Sequence, residues 1–221
     1  MKYSKELPTY TKGEEIFNAV SHIVGGGFGV IALVLGIVFA AIYSDGYGIA
    51  SMIVLGVSLI LLYTMSAIYH FLHRNRAKKV FRIFDHCTIF LLIAGTYTPY
   101  CLITLREANH IGWILFGIIW LFTILGIVGN AINMHHPVIK TLSMVCYLAL
   151  GWCIVIAIKP LLENLAFGGF LLLLIGGIAY TIGAVFYGFG KKTKYIHSVW
   201  HLFVLAGSIL HFLSILLYVI I

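Results

Sequence analysis

Charge is what this sequence has least of. Only 10% of its 221 residues are Asp, Glu, Lys or Arg, while 62% are hydrophobic. A soluble domain of this size has no interior able to hold so much apolar side chain, so the composition excludes that class and points to an integral membrane protein. Acidic residues are the scarcest, seven against fourteen basic ones, for a formal charge of +7. In a membrane chain such an excess reports topology and anionic lipid before nucleic acid, and no segment reads as a soluble base-reading domain. Cysteine is present but unpaired in pattern: Cys87, Cys101, Cys146 and Cys153 all lie in apolar runs and none forms a CxxC. That argues against a disulfide framework and for small buried hydrophobes. The polar start "MKYSKELPTYTKGEEIFNAVSH" lacks the apolar core and small-residue cleavage site of a secretory signal. With no internal repeat and no low-complexity linker, one domain over residues 1–221 is expected.

What is there is a series of apolar runs long enough to cross a bilayer. They lie at roughly 20–43, 48–72, 82–104, 111–130, 138–158, 167–189 and 197–221. The predicted fold is all-α, a bundle of seven transmembrane helices behind a short N-terminal arm over 1–19. Glycine clusters at 25–29 and 168–170 suit close helix packing. Loop charges orient the chain. Lys2, Lys5, Lys12, Arg74, Arg76, Lys78, Lys79, Arg82, Lys140, Lys191, Lys192 and Lys194 fall on one side, and only Arg106 and Lys159 on the other. The positive-inside rule then predicts a cytoplasmic N-terminus and arm, an external C-terminus, and residence in the cell membrane as a multi-pass protein.

Ionisable groups inside such helices are costly and mark function more often than not. His70 is four residues before Arg74, Asp85 three after Arg82, and His197 three after Lys194. At 1.5 Å per residue, each lies about 5 Å below the same interface. Ser66 is one turn from His70 and His201 one turn from His197, each pair on one helix face. Two histidines at i and i+4 can grip one metal ion, and a third from a neighbouring helix completes three nitrogen ligands. Such a set leaves a fourth position for water, the arrangement of a catalytic zinc, whose water is acidified to a pKa of about 7. This requires the seventh helix to close against the second and third. Asp85 is placed to accept the water's proton and Ser66 to donate to a carbonyl oxygen. Asp85 could instead pair with Arg82 or Lys79. A single interfacial histidine is more often a packing residue; the matched depth of the set is what favours metal. Haem would need His70 opposite one of the pair.

The remaining histidines read as ordinary. His73, His110, His135 and His136 lie in or beside loops, His86 points about 100° away from Asp85, and His211 reads as a hydrogen-bonded residue deep in the last helix. Glu15, Asn18 and His22 form a further stripe at i, i+3 and i+7. By spacing it serves equally as an amphipathic helix entrance or as a second shell around the metal cavity.

In order along the chain, "EEIFNAVSH" (14–22), "SAIYH" (66–70), "FDHCTIFLLIAGTYTPY" (84–100) and "HSVWH" (197–201) resemble the hemolysin III branch of the progestin and adipoQ receptor family. The resemblance spans nearly the whole chain and is specific in combination. It implies seven helices with a cytoplasmic N-terminus, and zinc on His70, His197 and His201. It also implies functional places for Asp85 and Ser66, and tips Glu15, Asn18 and His22 towards function. The wider superfamily contains alkaline ceramidases, and the adiponectin receptors are linked to ceramidase activity. The resemblance therefore implies a zinc-dependent hydrolase of a lipid amide or ester, with a membrane lipid as substrate and a place in lipid homeostasis. The alternatives are a non-enzymatic sensor with a structural zinc, or a pore-forming cytolysin. Against a pore, no polar stripe runs through the spans and the outer halves of the second and seventh helices read as apolar. Zinc transport ranks last, since the polar cluster is confined to one side. The N-terminal arm and external loops are short, so no protein hormone is expected as partner.

Overall fold

A computed structural model describes residues 7–108, 110–189 and 193–221. Seven helices are long and apolar enough to span a membrane: α1 (Lys12–Tyr43), α2 (Gly46–Phe71), α3 (Arg76–Thr104), α4 (Ile111–Asn133), α5 (Pro137–Asn164), α6 (Phe167–Gly188) and α7 (Ile196–Ile220). There is no strand among the described residues. The helices pack in sequence order, α1 on α2, α2 on α3, α3 on α4 and α6 on α7, and α7 closes back against α1 and touches α3. That closure is what the histidine set requires. The most enclosed helix is α3.

Three boundaries differ from those read off the apolar runs, each for a local reason. α1 starts at Lys12 rather than near 20 because Thr11 and Glu14 form a capping box: Thr11 N–H donates to Glu14 Oε2 at 2.8 Å and Glu14 N–H to Thr11 Oγ1 at 3.3 Å. The polar residues that hid this start from hydropathy face inward: Glu14 and Asn18 are buried. α3 starts at Arg76 rather than 82 because Asn75 caps it, accepting from Lys78 N–H at 2.9 Å. α5 continues to Asn164, past 158, through one tightened turn at Cys153–Ala157.

The α1–α2 contact is a seam of small residues. Gly25, Gly29, Ala32, Gly36 and Ala40 form the buried face of α1, which lets two backbones approach where hydrophobic exclusion supplies no force between helices. A Cβ on Gly29 would lie 3.1 Å from Ile60 N, and one on Gly25 would collide with the Tyr63 ring. The four cysteines are free.

The deeper half of the bundle is not purely apolar, contrary to its sequence pattern. Tyr63 Oη and Tyr180 Oη each lie 2.8 Å from Ser208 Oγ. Tyr100 Oη donates to Ser214 Oγ, which donates to Gly169 O, both at 2.7 Å. His211 Nε2 lies 3.0 Å from Leu173 O, the hydrogen bond expected of it.

Candidate functional site

The first turns of α1, α3 and α7 and the last turn of α2 meet at one end of the bundle. His70 from α2 and His201 from α7 are buried there, and His197 sits between them. His197 Nε2 lies 3.3 Å from His70 Nε2 and 3.2 Å from His201 Nε2. The three rings thus offer nitrogens within 4.8 Å of one another.

The partners on the far sides of the rings select their tautomers. His70 Nδ1 lies 2.8 Å from Glu15 Oε2, an acceptor, so Nδ1 carries the proton and Nε2 a lone pair. Ser21 Oγ donates to Asn18 O at 3.0 Å and must therefore accept from His201 Nδ1, 3.4 Å away. That gives His201 Nε2 a lone pair too. His197 Nε2 has at most one proton to offer two lone pairs. The pocket between the rings is short of positive charge by construction. Two nitrogens on a tetrahedral zinc, each at about 2.0–2.1 Å, stand roughly 3.3 Å apart. The observed separations and donor chemistry therefore fit a metal cation held by three histidines.

Behind the rings stands the α1 stripe. Glu15 holds His70. Asn18, fully buried, has Nδ2 3.5 Å from His70 Nδ1 and accepts from Ser198 Oγ at 2.6 Å. His22 stacks on His201 with ring centroids 3.6 Å apart and 16° between planes; both its nitrogens are buried without a partner. All three stripe residues thus back or bridge the histidine cluster.

Three contributors escaped the sequence reading. Lys78 was counted there as a loop cation, yet it is 1% exposed. Its Nζ donates to Glu15 Oε1 at 2.6 Å and to Leu72 O at 3.0 Å, and lies 5.1 Å over the Tyr69 ring. The Asn75 cap was the available signal, because it puts Lys78 in the first turn of a helix. Ser21, the residue before His22, orients His201. Tyr10, outside the spans, stacks on His197 at 5.1 Å and 18°; desolvation by burial pushes its phenol well above the usual range.

Ser66 and Asp85 line a cavity of about 1240 Å³ that also reaches His197 and His201. Ser66 is buried and its Oγ has no hydrogen-bond partner. Asp85 lies close enough to Ser66 and Arg82 to interact with both. The five residues predicted from sequence are therefore brought to one place, and His86 lines the same cavity.

The profile of a family described as Haemolysin-III related matches residues 10–212. Hemolysin-3 of Bacillus cereus is 45% identical over 206 residues, covering 93% of this chain and 92% of that protein. The Hemolysin-3 homolog of Bacillus subtilis strain 168 is 40% identical over 209 residues, 95% of this chain and 96% of its own. The human monocyte to macrophage differentiation factor is 26% identical over 169 residues, 72% of this chain and 66% of its own. With residues 10–212 of its 221 matched and all seven apolar helices in place, the chain belongs to the haemolysin-III related family and is a multi-pass protein of the cell membrane.

Proposed function

We propose that this protein is a zinc-dependent hydrolase of a lipid amide or ester, working near the cytoplasmic face of the membrane. The observation that carries the reading is the convergence of three imidazole nitrogens within 4.8 Å, His197 Nε2 standing 3.2–3.3 Å from two that bear lone pairs, beside a cavity that also presents Asp85 and Ser66. The cytoplasmic placement rests on the charge asymmetry of the loops. His70, His197 and His201 are the ligands. Glu15 and Ser21 keep two of them in the tautomer a metal needs, as carboxylate and hydroxyl partners of ligating histidines do elsewhere. A zinc ion held there would supply Lewis acidity towards a carbonyl oxygen and make nearby water a better nucleophile.

The chain's own groups do the rest. The cavity seats the acyl chain and leaves the scissile carbonyl near Ser66, whose unpartnered hydroxyl donates to the carbonyl oxygen. Asp85 takes a proton from the attacking water as the new C–O bond forms. It returns that proton to the leaving nitrogen or oxygen as the old bond breaks. The membrane itself delivers the substrate laterally, so short external loops are no handicap.

The test has two arms. Purified wild type should carry about one zinc per chain, and Asp85→Asn should keep it. The variant should lose at least about 100-fold in turnover of a fluorogenic acyl amide or ester, the low end for a removed general base. A wild type without metal, or an Asp85→Asn protein with full turnover, overturns the reading.

A further inference from the structure

The tyrosines that line the cavity fall into two groups. Tyr97, Tyr147 and Tyr180 have satisfied hydroxyls: Tyr97 Oη donates to Gly151 O at 3.0 Å, Tyr147 Oη to His86 O at 2.8 Å, and Tyr180 Oη lies 2.8 Å from Ser208 Oγ. Tyr10, Tyr69 and Tyr187 line the same cavity, and among the described residues none of their hydroxyls has a hydrogen-bond partner. Yet these three converge. Tyr10 is within electrostatic range of both other phenols, and all three are within range of Asp85 and Arg82. They come from three separate elements: the arm before α1, the end of α2 and the end of α6. Their rings are held in place. Tyr10 stacks on His197, Lys78 Nζ lies over Tyr69, and the Tyr187 ring packs 5.6 Å from that of Trp200. Tyr69 is 2% exposed, so its hydroxyl has only the cavity to turn to. A buried tyrosine hydroxyl usually finds a partner, and for these three the cavity is where it must come from.

The charges nearby are already engaged. Arg82 acts on Asp85, Lys194 on Glu14, and Lys140 and His135 have partners of their own. An anionic head group at the phenols would face the Asp85 carboxylate, and a cationic one the Arg82 guanidinium. What the site leaves uncommitted is neutral hydroxyl, which both donates and accepts. We infer that Tyr10, Tyr69 and Tyr187 read the lipid head group and select an uncharged, glycerol-type alcohol with at least a pair of free hydroxyls a few bonds from the acyl carbonyl. This rests on the lipid-binding part of the proposed function and adds the chemistry of the head group and the residues that read it. The short linker follows from α2. Ser66, placed at the carbonyl, precedes Tyr69 by three residues, a rise of about 4.5 Å in a helix. A head group with a single hydroxyl would leave most of the phenols without a partner. The volume also suits a whole lipid: about 1240 Å³ exceeds the roughly 300–1,000 Å³ of pockets for drug-sized ligands.

The experiment uses ether lipids, which have no bond to hydrolyse, so binding is read apart from turnover. The probes are 1-O-hexadecylglycerol, its isopropylidene ketal, in which both hydroxyls are capped, and its 3-phosphate, each added to protein in nanodiscs of zwitterionic lipid. Wild type should bind the free diol at least about tenfold more tightly than the ketal, the combined effect of two or three net hydrogen bonds, and no less tightly than the phosphate. Tyr69→Phe and Tyr187→Phe each remove one oxygen and keep the ring. Each should weaken the diol about 2–10-fold and leave the ketal unchanged. Tyr10→Phe/Tyr69→Phe/Tyr187→Phe should bring diol and ketal close to equal affinity; if it fails to fold, the single variants decide. Equal affinity for diol and ketal in wild type, single variants that keep the full ratio, or a phosphate bound at least about tenfold more tightly than the diol overturns the inference. The hydrolase reading fails separately: a diol preference without turnover of 1-monopalmitoylglycerol sinks that reading and keeps the head-group site.

Discussion

Two polar clusters sit in this bundle about 16 Å apart along α7, from His197 to Ser208, and they are built on opposite plans. The deeper one is closed but for His211 Nδ1, which is buried without a partner. Tyr63, Ser208 and Tyr180 satisfy one another, and Tyr100, Ser214 and Gly169 O form a second short chain, all from neutral groups. The one at the histidine end is open. His197 Nε2 has at most one proton for the two lone pairs it faces, His22 has neither nitrogen partnered, and Ser66 Oγ has only Asp85 within reach. A buried polar group without a partner costs free energy, and the cost is larger in lipid, where no water can substitute. Closed networks hold helices together; an open one persists only where something else completes it.

The sharpest break in that comparison is His201→Ala set beside Ser208→Ala. His201→Ala removes one of the three proposed ligands, and bound zinc should fall from about one per chain to below detection under dialysis. Thermal stability of the metal-free protein should change little. Ser208→Ala should do the reverse: zinc unchanged, with stability lowered by about 0.6–1.7 kcal/mol, the range for interhelical hydrogen bonds in membranes. Zinc loss in Ser208→Ala, or its retention in His201→Ala, would erase the distinction.

A second, smaller effect tests how far the open cluster reaches. Lys78 reaches the site through Glu15, the carbonyl end of α2 and the Tyr69 ring. Lys78→Met should let Glu15 swing from His70 and weaken zinc binding about 10–100-fold, the usual cost of losing an outer-shell partner. Lys78→Arg, which keeps the charge, should recover most of it. Equal loss in both variants would mean that Lys78 serves only to pack the turn.

These assignments differ in how visible they were in the sequence. Seven spans were legible because bilayer thickness imposes a length on apolar runs, and the histidines because i, i+4 spacing survives any packing. The entry turns of α1 and α3 were hidden because run length ignores caps: Thr11 and Asn75 mark those starts, yet the residues that follow are polar. Lys78 was misread for the same reason, since a cation near a predicted loop reads as topology until the helix start is known. The tyrosine–serine network left no trace, because Tyr and Ser are unremarkable in apolar helices and their pairing is set by which helices meet. Asp85 and Ser66 were legible only as residues at the right depth; their common cavity is a property of the closed bundle.

The smallest effect contrasts the ion pairs at the two ends of the molecule. Lys78–Glu15 is enclosed, whereas Asp45 and Arg106 pair in the open between α1 and α2 and beyond α3, at 2.8 Å. The Arg106 guanidinium hydrogen-bonded to Asp45 holds its carboxyl below the usual range, helped by the Gly48 and Tyr47 amides it caps. A carboxyl depressed in the fold stabilises fully above the unfolded Asp value of about 3.9 and loses that contribution as pH falls through its folded value. Asp45→Asn keeps a capping oxygen and removes the charge. Wild type should therefore melt slightly higher than Asp45→Asn at pH 7, by less than the Ser208→Ala effect. The gap should narrow at about 1 M salt, where exposed charges are screened, and close in acid below the folded carboxyl's range. A gap unchanged by acid and salt would show that the side chain acts as a cap alone and that the pair contributes nothing, leaving the buried pair at the histidine end as the one whose charge matters.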